Sequence, residues 1–96
     1  MSFNQPVEEK LEIRRKRLRY LAWHRGMREL DLILGPYVDR HVNGLAACEM
    51  DELEALFTVP DNTLFRWIAG QEPVPAEHDT SIMRNLISSA AWPQGR

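Results

Sequence analysis

One cysteine, Cys48, stands in the 96 residues, so no disulfide forms within the chain. A small domain of this kind must hold itself together by packing, and the lack of paired cysteines suits a reducing compartment. No apolar run approaches the ~20 residues of a membrane-spanning helix. The opening "MSFNQPVEEK" has neither an apolar signal core nor an arginine-rich presequence. A cytoplasmic location without membrane insertion is the expectation. The five glycines are scattered and form no phosphate-cradling loop. His24, His41 and His78 are far apart, and with a single cysteine no zinc-ligand spacing exists. Cys48, inside a helical stretch, is expected to be a small packing residue. No catalytic residue and no metal ligand emerges, and the chain is not expected to be an enzyme. Strand-like alternation, repeats and low-complexity blocks are absent as well.

What is present is helix. The composition, 44% hydrophobic and 27% charged, fits one soluble domain with a modest core. The formal net charge of −2 hides an asymmetry: residues 1–28 carry +5 and residues 29–96 carry −7. The basic residues concentrate in the run Arg14–Arg19. Such an arm either meets an anionic partner or lies beside its own acidic body.

Five helical segments follow from apolar spacing. The first runs from about Pro6 to His24, with Leu11, Leu18 and Ala22 on one stripe and Ile13 and Tyr20 on the far side. The second starts near Met27, where Leu30, Ile33, Leu34, Tyr37, Val38 and Val42 repeat in helical phase. Gly35-Pro36 interrupts that phase without shifting it, which predicts a kinked helix or two short helices nearly in line. The third spans Ala47 to Thr58, its carboxylates at 49–54 on a solvated face. Asp61 is a natural N-cap for the fourth, Asn62 to Ala69, which Gly70 ends. "QEPVPAEH" is an extended linker stiffened by Pro73 and Pro75, and Asp79 or Thr80 caps a fifth helix in which Met83, Leu86, Ile87 and Ala90 face inward. The expectation is an all-α, compact five-helix bundle. Residues 1–8 form a flexible N-terminus, 9–90 the helical domain and 91–96 a flexible tail. Self-association through Ile13, Tyr20 or Trp92 is not demanded, and a monomer is expected.

Two stretches remain for function. "RRKRLR" in a small helical protein raises a nucleic-acid-binding reading. Against it, the basic run lies on the first helix, and the second carries Glu29, Asp31 and Asp39, which repel phosphate. The other stretch is "RGMREL" at 25–30. Gly26 is expected to be the left-handed residue that ends helix one. Arg28 lies in the first turn of helix two, where a cation is disfavoured, whereas Glu29 is well placed there. Arg25, Gly26 and Glu29 therefore make a charged corner with a side-chain-free spot that admits close approach of another backbone. The plain alternative is a glycine turn with solvated charges.

"RGMRELD" at 25–31, "GPYVDRH" at 35–41 and "VPDNTLFRWIAGQEPVP" at 59–75 resemble the succinate dehydrogenase flavinylation/assembly factors, over about Arg14 to Leu86. The shared signature is Arg-Gly-x-x-Glu, here Arg25, Gly26 and Glu29, joined to Leu30-Asp31, Pro60-Asp61, Trp67 and Glu72-Pro73 in order. The resemblance implies a five-helix bundle and a non-enzymatic assembly chaperone. It implies binding to the flavoprotein subunit of succinate dehydrogenase, and in bacteria of fumarate reductase, with covalent attachment of FAD to a client histidine. FAD is then the client's cofactor, and none is expected to be held stably by this chain. The same resemblance implies Arg25, Gly26 and Glu29 as the client-facing corner, with Arg25 expected to pair a client carboxylate or carbonyl. Arg28 and Asp31 beside them complete the partner-binding candidates, Arg28 to steer encounter with the client. Members of the family have also been described as antitoxins. This sequence departs from the family at Ala46 and Ala47, where Ser or Thr often caps helix three.

Overall fold

The structure, a computed structural model, describes residues 7–89. Among them five α-helices form and no strand: α1 (Val7–Trp23), α2 (Arg28–His41), α3 (Ala47–Phe57), α4 (Asp61–Ile68) and α5 (Ser81–Ser89). Single 3₁₀ turns at Val42–Gly44 and Ala76–His78 join α2 to α3 and lead into α5. The second turn lies inside the segment expected to be extended throughout. The ends expected to be flexible, Ala90 expected to face inward, and Trp92 fall outside the described residues, apart from Val7 and Glu8, which begin α1.

The predicted stripes become the core. Leu18 and Ala22 of α1 and Leu30, Leu34 and Val38 of α2 are fully buried. They meet Met50, Leu53 and Leu56 of α3, Leu64 and Ile68 of α4, and Met83 and Leu86 of α5. Each buried Leu, Ile, Val or Met side chain contributes roughly 1.5–3 kcal/mol of hydrophobic free energy when taken from water. α1 packs chiefly along α2.

α2 continues unbroken through Gly35-Pro36 instead of splitting in two. Pro36 has no N–H for the Leu32 carbonyl, so one rung of the helix is missing. Two features keep it intact: its apolar face is buried on both sides of the proline, and glycine before proline removes the Cβ that crowds the proline ring.

The helix ends are set locally. Gly70 has φ +77°, with its N–H on the Trp67 carbonyl and that of Gln71 on the Arg66 carbonyl. This paired pattern closes a helix on a left-handed glycine, as expected at this position. At α5 the cap is Thr80, whose Oγ1 accepts from Met83 N at 3.1 Å. Asp79 instead pairs with Arg84. At α3 the capping residue is Ala46, which offers no oxygen, and only the Glu49 half of a capping box forms, with Oε1 2.8 Å from Ala46 N.

Three side chains depart from expectation. Cys48 is exposed on α3. Arg15, one of the run Arg14–Arg19 whose charges are expected to face an anionic partner or the acidic body, is buried. The carboxylates of α3 are not all solvated: Glu54 is half-buried and accepts from Arg14 Nε at 2.8 Å, while Asp51 stays exposed as expected and pairs with the same guanidinium. Part of the basic arm therefore answers its own acidic body. Arg14 holds the Glu54 carboxyl below its ordinary range, against a smaller opposing effect of burial.

Candidate functional site

The α1–α2 corner, the loop of residues 24–27 with the first turn of α2, is where the sequence placed its candidate site. α1 ends at Trp23, His24 N reaches back to the Leu21 carbonyl, and α2 begins four residues later. Gly26 is not left-handed: among the described residues Gly70 alone has positive φ. The short loop turns without it. Glycine serves at position 26 by leaving room, since a Cβ there would lie 3.3 Å from Asp61 Oδ2. The atom that approaches belongs to this chain's own α4.

Arg25 turns inward, its side chain only 8% exposed. Its Nε donates to Asp61 Oδ1 at 2.8 Å, Nη1 to the Phe57 carbonyl at 2.6 Å and Nη2 to the Val59 carbonyl at 2.7 Å. The guanidinium also lies over the Phe57 ring, 5.6 Å from its centroid. The two carbonyls are at the α3–α4 turn, so the arginine bolts one helical corner to the other. Asp61, expected to cap α4 with its side chain, makes no such bond. Its carboxylate leaves its own helix for Arg25 and for Gly26 N, at 3.0 Å. The guanidinium brings a full opposite charge to the carboxylate, where the amides of a cap would bring only a neutral dipole.

Asp31 is engaged as well, its Oδ1 accepting from Arg25 N at 2.9 Å. Gly26, Arg28 and Glu29 are left facing outward. Among the described residues neither the Arg28 nor the Glu29 side chain has a partner. The five candidates are thus together in one place but divided in orientation: Arg25 and Asp31 hold the corner, and Gly26, Arg28 and Glu29 are its face. The residues that complete it, Asp61 and the carbonyls of Phe57 and Val59, lie more than 30 positions away. No periodicity marks such a link, and Val59-Pro60-Asp61 reads locally as a turn and cap.

Around this face lie exposed Tyr20 and half-exposed Trp23. Tyr20 stacks on His24 with centroids 4.1 Å apart, and Trp23 Nε1 donates to Asp39 at 3.1 Å. No group of three or more metal-ligating side chains occurs among the described residues, and no helix there is long and apolar enough to cross a membrane.

A small all-helical protein whose two helical corners are bolted together behind an outward glycine, arginine and glutamate has the make-up of a protein-binding factor. Residues 16–90 match the model of a family described as flavinator of succinate dehydrogenase. The chain belongs to that family. It is 32% identical over 89 residues to the FAD assembly factor SdhE of Acetobacter pasteurianus, covering 93% of this chain and 82% of that protein. It is 36% identical over 81 residues to the mitochondrial succinate dehydrogenase assembly factor 2-B of Drosophila persimilis, covering 82% of this chain and 52% of the relative. A mitochondrial succinate dehydrogenase assembly factor 2 of Dictyostelium discoideum is 31% identical, with 88% and 59% covered. The chain thus spans about half the length of these mitochondrial relatives.

Proposed function

We propose that this protein is an assembly factor that binds the flavoprotein subunit of succinate dehydrogenase and promotes covalent attachment of FAD to it. The observation that carries this reading is family membership over residues 16–90, which include the whole corner. The corner is the docking surface. Gly26 lets the client's backbone approach, Glu29 accepts a hydrogen bond or orients a basic client group, and Arg28 steers encounter with the client. The factor supplies position and no reacting group; the histidine and the flavin are the client's, and FAD is not stored on this chain. It acts as a cytoplasmic monomer. The flavoprotein subunit of fumarate reductase is a second client.

The test is reconstitution. Unflavinylated flavoprotein subunit is incubated with FAD, with and without the factor, and covalent flavin is read as fluorescence that survives denaturation. Wild type raises the yield; Glu29→Ala and Gly26→Arg do not, while both keep their helical content. Normal yields with Glu29→Ala would remove the corner from the interface.

A further inference from the structure

We infer that Asp61 is a positioning residue for the docking corner, and that Arg25 works with it as the second half of a clamp instead of touching the client. This rests on the corner being the docking surface. The geometry is specific. One Asp61 oxygen accepts from Arg25 Nε at 2.8 Å and lies 2.7 Å from Nη2, while the other accepts the Gly26 N–H at 3.0 Å. The neighbouring amide, Arg25 N–H, is taken by Asp31 Oδ1 at 2.9 Å. Two consecutive peptides of the corner are therefore each held by a carboxylate, one from α4 and one from α2.

Arg25 has no arm to offer outside. Nε, Nη1 and Nη2 each have an acceptor inside the chain, on Asp61, Phe57 and Val59. Releasing the guanidinium to a client would break three charge-assisted bonds to form others. Held as it is, it fixes the α3–α4 turn against the α1–α2 loop, and so fixes where α2 begins and how Arg28 and Glu29 stand. A surface ordered before encounter avoids the ordering cost of binding. Asp61 makes the order, because a single carboxylate locks the arginine side chain and the Gly26 backbone together.

The experiment measures binding of unflavinylated subunit and covalent flavin yield for Asp61→Asn, Arg25→Lys, Glu29→Ala and Arg14→Gln. Asparagine keeps the size of aspartate but has one acceptor oxygen, so one of the two links is lost. Lysine keeps the charge and lacks the fork. Both variants should retain helical content and weaken client binding at least about tenfold, the factor that 1.4 kcal/mol sets. At saturating factor the flavin yield should return to the wild-type plateau. Arg14→Gln breaks an ion pair of similar kind between α1 and α3, away from the corner, and should bind as wild type. If Asp61→Asn proves unfolded, Arg25→Lys carries the test. The clamp is overturned if folded Asp61→Asn and Arg25→Lys bind as wild type while Glu29→Ala does not. It is also overturned if Arg14→Gln weakens binding as much as they do, since the effect is then general loss of stability. Failure of wild type itself to bind the subunit instead defeats the proposed function beneath the clamp.

Discussion

Trp23 lies flat against Gly35. A Cβ built on that glycine would stand 2.3 Å from Cε2 and 2.4 Å from Cδ2 of the indole, closer than any carbon pair tolerates. The last residue of α1 is thereby seated on α2, with its ring nitrogen fastened to Asp39 one turn further on. Gly35→Ala should destabilise the fold by about 1–3 kcal/mol, as overpacking does, although alanine is the better helix former by roughly 1 kcal/mol. A thermal melt with tryptophan fluorescence checks this: the midpoint falls by several degrees, and emission shifts to the red as Trp23 is driven into water. An unchanged melt and spectrum would mean that the indole moves aside at no cost.

The weak start of α3 offers a gain. Ala46 occupies the capping position with extended backbone, φ −76° and ψ 165°, which suits a capping serine without change of conformation. Ala46→Ser should add a side-chain acceptor to the half box that Glu49 already makes. The expected stabilisation is about 1 kcal/mol, or roughly 4–8 °C in the melting midpoint of a domain this size. Removing the existing half with Glu49→Ala should lower the midpoint instead.

The fold was legible in the sequence because its signals are periodic or local. The apolar repeat of α2 survives Pro36 both in the sequence and in the bundle, and Gly70 ends α4 as its position foretold. The candidate corner was legible as a stretch of sequence but not as an arrangement. Asp61 followed by a helix reads as a cap, since local rules pair a carboxylate with the nearest orphan N–H groups. They carry no knowledge of a guanidinium 36 residues earlier that competes for it. Gly26 likewise reads as a left-handed stop, although what glycine supplies there is room beside an oxygen from α4. The same blindness to distance made Glu54 appear fully solvated when Arg14 holds it.

That last pairing predicts an acid limb. Hydrogen bonds from Arg14 lower the Glu54 carboxyl below its ordinary value of 4.5. A group depressed on folding contributes stability above its unfolded value and loses it as the pH falls through its folded one. Glu54 is about one-third exposed, so the contribution is held to about 1 kcal/mol or less. Denaturant titrations should therefore show Arg14→Gln less stable than wild type by a constant amount above about pH 5. The gap should close as the pH drops further below 4.5. A gap that persists at low pH would trace the loss to packing of the arginine stem.

Position 26 separates the fit of the corner from its use. Backbone conformation does not demand glycine there, since φ is not positive, and the added methyl meets one oxygen at 3.3 Å, which must yield by a few tenths of an ångström. Alanine also reduces the freedom of the unfolded chain, a gain of about 0.4–1 kcal/mol. The two effects oppose, so Gly26→Ala should leave stability within about 1 kcal/mol of wild type. Its methyl still pushes on Asp61 and occupies the spot proposed for approach of a client backbone. Gly26→Ala should therefore lower flavinylation of the client more than it lowers the melting midpoint, and Gly26→Arg should abolish it at near-native helical content. Yield and melting are measured on the same preparations. If Gly26→Ala supports full yield, the spot beside Asp61 is needed for neither approach nor clamping. The requirement for glycine then reduces to the bulk that arginine adds.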